Sequence, residues 1–173
     1  MMKRAIHIFP SFQSIENIQE IRNRHDPLSD KIPPHITLVF PFESSIPHND
    51  ILDHIKSVAE HIPPFSLTLR DVTGSGGEFL FLNVKKGNDY LIQIHDDLYK
   101  GILESYRNPH FTYLPHITLG RPGNREEYIN ALEKYKNWRE SYHTIVEEIT
   151  LEEIGEDNVS HVIGRVPLKK NRF

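Results

Sequence analysis

Pro34-His35-Ile36-Thr37-Leu38 recurs unchanged as Pro115-His116-Ile117-Thr118-Leu119, 81 positions further on, and Pro41 and Pro122 follow the two copies in the same register. The β-branched, apolar composition of each copy and the prolines around it read as short strands, over 35–40 and 116–121. Side chains alternate between the two faces of a strand. His35 and Thr37 therefore share one face, and Ile36 and Leu38 the other. The same holds for His116 and Thr118 against Ile117 and Leu119. The apolar pairs suit a core, and the polar pairs are left to line an open face.

The flanking sequence repeats with the motif. A strand is expected at 3–9, and a helix at 14–25 from Ile15, Ile18 and Ile21. A loop over 26–34 leads to the first motif. Asn49 is placed to cap a helix bearing Ile51, Ile55, Val58, Ala59 and Ile62, which ends at Pro63-Pro64. Residues 65–72 read as a strand, Gly74-Ser75-Gly76-Gly77 as a turn or joint, and 78–84 as the next strand. Asn88 is placed to cap a helix bearing Leu91, Ile94, Leu98 and Ile102, and a loop containing Pro109 leads to the second motif. Asn124 with Glu127 resembles a capping box before a helix with Tyr128, Leu132 and Tyr135. Two closing strands, about 142–154 and 159–168, flank the turn-like Gly155-Glu156-Asp157-Asn158.

Strand, helix, motif strand, helix, strand is thus read twice, which indicates a duplicated unit. Two copies predict a single α+β domain over 1–173, with two lobes about a pseudo-twofold axis. The lobes are expected at about 1–73 and 78–168, with room for an exchange of strands.

The bulk numbers narrow the chemistry. The 173 residues carry a formal net charge of −4, with 38% hydrophobic and 25% charged residues and no cysteine. Thiol nucleophiles, disulfides and cysteine zinc sites are excluded. The overall basic footprint of a DNA-binding domain is missing, so any nucleic acid has to be gripped locally. No apolar run approaches the roughly 20 residues of a membrane span. Residues 1–7 read as a first strand rather than a signal peptide, and a cytoplasmic protein is the default expectation.

Two imidazoles around one phosphate form an acid–base pair. A neutral one takes a proton from water or a ribose hydroxyl, and a protonated one gives a proton to the leaving oxygen. Threonine hydroxyls can donate to the nonbridging oxygens, where charge gathers in the transition state. This chemistry calls for no metal and no cofactor.

The paired motifs resemble those of the 2H phosphoesterase superfamily, which includes the 2′-5′ RNA ligase-like proteins and is defined by two His-x-Thr/Ser-x motifs. The resemblance covers essentially the whole chain. It implies a bilobal α+β fold with antiparallel sheets forming a V-shaped cleft and helices outside. It implies hydrolysis, or reversible ligation, of 2′,5′-linked or 2′,3′-cyclic phosphate esters, with an RNA end or nucleotide cyclic phosphate as substrate, and neither DNA nor membrane as partner. By motif match it places the proton donor at His35, the proton acceptor at His116 and the phosphate grip at Thr37 and Thr118. Two other readings are a non-catalytic RNA or nucleotide-binding module of the same fold, and a metal-dependent hydrolase with the histidines as ligands. The motifs bring no carboxylate partners for the latter.

Further residues enter with competing placements. Arg121 and Tyr113 are candidate substrate contacts, the first for phosphate and the second, like Phe40, Phe42 and Phe111, for a stacked base or for core and rim. Simple alternation sets Arg121 on the face of Leu119, unless the Pro122 bend redirects it. The nine other histidines show no metal-ligand spacing and read mostly as surface residues. Glu147-Glu148 with Glu152-Glu153 reads as a solvated strand face. Lys169-Lys170-Asn171-Arg172 reads as a short basic tail. Gly74–Gly77 lacks the Gly-Lys-Ser/Thr end of a phosphate-binding loop.

Overall fold

Among the described residues, alternating apolar residues build eight strands, and 3.6-residue stripes build four helices. A computed structural model describes residues 1–169. In chain order these are β1 (Met2–Ile8), α1 (Ile15–His25), β2 (Ile36–Ser44), α2 (His48–Ala59), β3 (Phe65–Ser75), β4 (Phe79–Lys86), α3 (Asn88–Leu98), β5 (His116–Gly120), α4 (Arg125–Tyr135), β6 (Ser141–Val146), β7 (Glu148–Ile154) and β8 (Ser160–Pro167). A 3₁₀ segment, Gly101–Tyr106, follows α3. The expected basic tail lies outside the described residues from Lys170 onward.

The strands form two antiparallel four-stranded sheets, ordered β2-β1-β7-β8 and β5-β4-β3-β6. Each motif strand is an edge strand, and the two edges touch one another. The α+β fold with two antiparallel sheets is therefore as expected. Helices α2 and α3 cover the first sheet, and α1 and α4 the second. Thus α1, which leads into β2, packs on β5, while α3, which leads into β5, packs on β2.

Several element boundaries differ from the sequence reading, each for a local reason. The expected strand 142–154 breaks at Glu147 into β6 and β7, which belong to different sheets. Gly74–Gly77 is a turn, as read: Gly74 and Ser75 end β3, paired with Leu80 and Phe79, and Gly76-Gly77 form the tip of the β3–β4 hairpin. Strand β2 runs through Pro41 to Ser44, because an edge strand tolerates a residue without an N–H. Gly101, at φ 57°, turns the chain after α3, so Ile102 leaves the helical stripe and is exposed. Pro47 and Gly87, not Asn49 and Asn88, precede their helices, and neither caps with a side chain. The Asn124 box does form: its side chain accepts from the Glu127 amide at 2.9 Å, and its amide donates back to Glu127.

The core is continuous through both layers. Ile36, Leu38, Ile117 and Leu119 are 0–1% exposed within it, whereas His35, Thr37, His116 and Thr118 are each half-buried. The alternation read from the motif thus holds in both copies.

Candidate active site

Both motif strands carry the same irregularity. Ile6 pairs with Val39 but His7 with Thr37, and Leu80 pairs with Gly120 but Phe81 with Thr118. Leu38 and Leu119 are each the extra residue of a β-bulge. The bulge resets alternation by one position. Arg121 is thereby moved to the face of Thr118, where its guanidinium lies 5.2 Å over the Phe79 ring and is held by Glu78 at 2.8 and 3.1 Å. Phe40 occupies the matching position of the first copy and is 44% exposed.

The two histidines are held in the same way. His35 Nδ1 is 2.8 Å from the carbonyl of Pro33, and His116 Nδ1 is 2.6 Å from the carbonyl of Leu114. A carbonyl only accepts, so each Nδ1 carries hydrogen and donates. That fixes the tautomer and leaves Nε2 of both rings free for proton transfer.

Burial lowers the proton affinity of both rings. For His35 the burial is joined by the neighbouring His7 and by Arg22 and His116, outweighing its bond to Pro33, so it lies well below the usual imidazole range. His116 is lowered by burial, opposed by its bond to Leu114.

The residue behind each histidine differs. Phe81 stacks on His116 with ring centroids 3.4 Å apart and an interplanar angle of 15°. The corresponding residue of β1, His7, lies 4.5 Å from His35 at 46°. His7 Nδ1 is in turn 2.5 Å from Glu152 Oε2. This corrects two expectations. His7, like His95, is buried rather than on the surface, and Glu152 is 1% exposed instead of solvated with its neighbours.

Side chains of the opposite half clamp the β2 edge. The Tyr113 hydroxyl donates to the Thr37 carbonyl at 2.8 Å, His95 Nδ1 donates to the Leu38 carbonyl at 2.7 Å, and the Phe40 amide donates to the Tyr99 hydroxyl at 3.0 Å. Tyr113 also stacks on His95, 3.8 Å apart and nearly parallel. Its hydroxyl is therefore engaged with the backbone of the first motif. Phe42 is buried, and Phe111 is exposed. At the other edge, the Arg121 amide donates to the His25 carbonyl at 2.8 Å. Gly120 lies so close to α1 that a Cβ there would come within 2.7 Å of the His25 carbonyl group.

His7, Glu152, Phe81 and His95 were not singled out from the sequence. A signal for two of them was present: Ala5-Ile6-His7-Ile8-Phe9 and Phe79-Leu80-Phe81-Leu82-Asn83 are matching strands of the repeat, and aligning them places His7 and Phe81 at one position. Among the described residues, no group of three or more histidines and carboxylates is placed to hold a metal ion. No described helix is long and apolar enough to cross a membrane.

Comparison with known proteins agrees with this architecture. A chain of Geobacillus thermodenitrificans named "Putative phosphoesterase" is 30% identical over 138 residues, 78% of each chain. One of Bacillus licheniformis with the same description is 26% identical over 152 residues, 87% of this chain and 89% of that one. Among solved structures, TT0787 of Thermus thermophilus superposes with a TM-score of 0.69 at 17% identity, over 99% of this chain and 100% of that one. E. coli LigT complexed with 3′-AMP does so with a TM-score of 0.60 at 20% identity, over 96% and 98%. The profile of the 2′-5′ RNA ligase superfamily matches residues 9–158, and the chain belongs to that superfamily.

Proposed function

We propose that this protein is a phosphoesterase that hydrolyses, or reversibly ligates, 2′,3′-cyclic or 2′,5′-linked phosphate esters of RNA ends or nucleotides, with His35 and His116 as the acid–base pair. The observation that carries this reading is the shared tautomer: both rings spend Nδ1 on a backbone carbonyl two residues back and keep Nε2 free. Two such nitrogens on touching edge strands can serve one phosphorus from opposite sides. Thr37 and Thr118, half-buried on the same faces, hold the nonbridging oxygens. The phosphoesterase names of its relatives, and the 3′-AMP bound to LigT, support a nucleotide phosphate as ligand. No step calls for a metal.

A panel of nucleoside 2′,3′-cyclic phosphates and 2′-5′ dinucleotides, assayed in EDTA with products resolved as 2′- or 3′-phosphates, tests the reading. Turnover is expected in the wild type and a loss of about 10²–10⁴-fold in His35→Ala and in His116→Ala. Binding without turnover across the panel would favour the non-catalytic binding module instead.

A further inference from the structure

Each sheet carries a catalytic histidine at its edge, but only one sheet leaves the face beside it open. Next to His35, the face continues into His7 of β1 and Thr150 and Glu152 of β7, which are 1–3% exposed. Nothing can be laid on them. Next to His116, the face stays accessible across all four strands. β4 brings Phe81, Asn83 and Lys85 to it, β3 brings Thr68 and Arg70, and β6 brings Ser141 and His143. His143 is bonded through both ring nitrogens, to the Thr68 hydroxyl at 3.1 Å and the Ser141 hydroxyl at 3.0 Å.

Polar links run across this face away from the histidine. Asn83, the strand partner of His116, donates to the Asp71 carbonyl and to the Thr73 hydroxyl, each at 3.0 Å. The Asp71 carboxylate lies 3.0 Å from Lys85 and 3.7 Å from Arg70, so one anion gathers two cations. In a chain of net charge −4, that is a local excess of positive charge beside the site. Lys85 stands two residues beyond Asn83, about 7 Å along β4. It also lines an open hollow of about 560 Å³, together with Ser66, Lys86, Asn88, Asp89 and Tyr90. That volume suits a nucleotide-sized ligand. The Tyr90 ring lies on that of Phe65, 4.7 Å away at 18°, and is 38% exposed. It offers a flat surface for a base.

From this one-sided opening we infer that the face of β4, β3 and β6, with the hollow at its end, is a binding track for single-stranded RNA. The preferred substrate is then an oligonucleotide end and not a mononucleotide. The inference rests on the function proposed above and names the substrate class of that same site. The terminal phosphate sits between His35 and His116, and the strand behind it crosses β4. Lys85 and Arg70 take backbone phosphates, and Tyr90 takes a base. Three features fix this occupant. Successive cations call for a polyanion. An exposed ring calls for bases to stack on it. Continuity with His116 calls for a polymer whose end is the reacting group.

The test is fluorescence anisotropy with a 5′-labelled RNA of about eight nucleotides that ends in a 3′-phosphate. An unlabelled nucleoside 3′-phosphate serves as competitor. The wild type is expected to bind the oligonucleotide at least about 10-fold more tightly than the mononucleotide. Lys85→Ala and Arg70→Ala are each expected to weaken oligonucleotide binding several-fold and to lower the slope of log K against log salt by about 0.7. Tyr90→Ala is expected to cost about 10-fold with the salt slope unchanged. Lys56→Ala, on α2 and away from the track, controls for a general loss of charge and is expected to bind as the wild type does. The inference is overturned if oligonucleotide and mononucleotide bind the wild type equally, or if Lys85→Ala and Arg70→Ala both bind RNA as the wild type does. Lys85 and Arg70 are exposed, so these variants fold even if Tyr90→Ala does not. Binding is read without turnover. A wild type inactive on the whole panel therefore counts against the proposed function, while the anisotropy judges the track.

Discussion

The hydroxyl of Tyr113 donates to the carbonyl of Thr37 at 2.8 Å, so the residue three before His116 of the second motif holds the backbone of the first. Burial holds this hydroxyl protonated far into the alkaline range, and it remains a donor at any working pH. Tyr113→Phe removes the donor and keeps the stacked ring. We expect a loss of about 1 kcal/mol in urea unfolding. A fall in kcat is expected with it, as Thr37 loses its register.

Gly120→Ala tests the approach of α1 to β5. The added methyl meets the His25 backbone, which cannot swing away like a flexible side chain. A loss of about 1–3 kcal/mol is expected from chemical denaturation. Unchanged stability would show that α1 is free to retreat.

Thr37→Val and Thr118→Val preserve shape and remove the hydroxyl. If these groups stabilise charge gathered in the transition state, each costs about 10²-fold in kcat with a smaller change in KM. A change confined to KM would assign them to ground-state binding.

Acid should weaken the fold through its histidines. Burial lowers the proton affinity of His25, His35, His95 and His116 in the native protein. Below the unfolded imidazole value of about 6.5, the unfolded chain takes up protons that the native chain refuses. Stability is full above that pH and falls as pH drops below it. The urea midpoint should therefore be lower at pH 5 than at pH 7.5, before most carboxylates titrate.

Much of this site was legible because its logic is local. A five-residue block with period-2 alternation fixes which side chains enter the core, and Ile36, Leu38, Ile117 and Leu119 do so. The Asn124–Glu127 cap also depends on residues three apart. What escaped depends on pairing between distant strands. The bulges at Leu38 and Leu119 exist only against β1 and β4, and they alone bring Arg121 round to Phe79. Glu152 looks solvent-exposed among its acidic neighbours until β7 is laid beside β1, where it meets His7 from 145 positions away. His95 follows a helical stripe, and nothing nearby announces that its partner is the carbonyl of Leu38.

The crossing of α1 onto β5 and of α3 onto β2 has a consequence for assembly. A gene cut at the Gly76-Gly77 hairpin would yield two polypeptides, each with one motif and each missing the helix that covers its own motif strand. The first would also hold β3 without its neighbours β4 and β6, and the second β7 and β8 without β1. Neither fragment contains a complete layer, so each has to wait for the other before its apolar face is covered. The duplicated halves are therefore interdependent pieces of one folding unit, and activity from a split gene would return only by complementation.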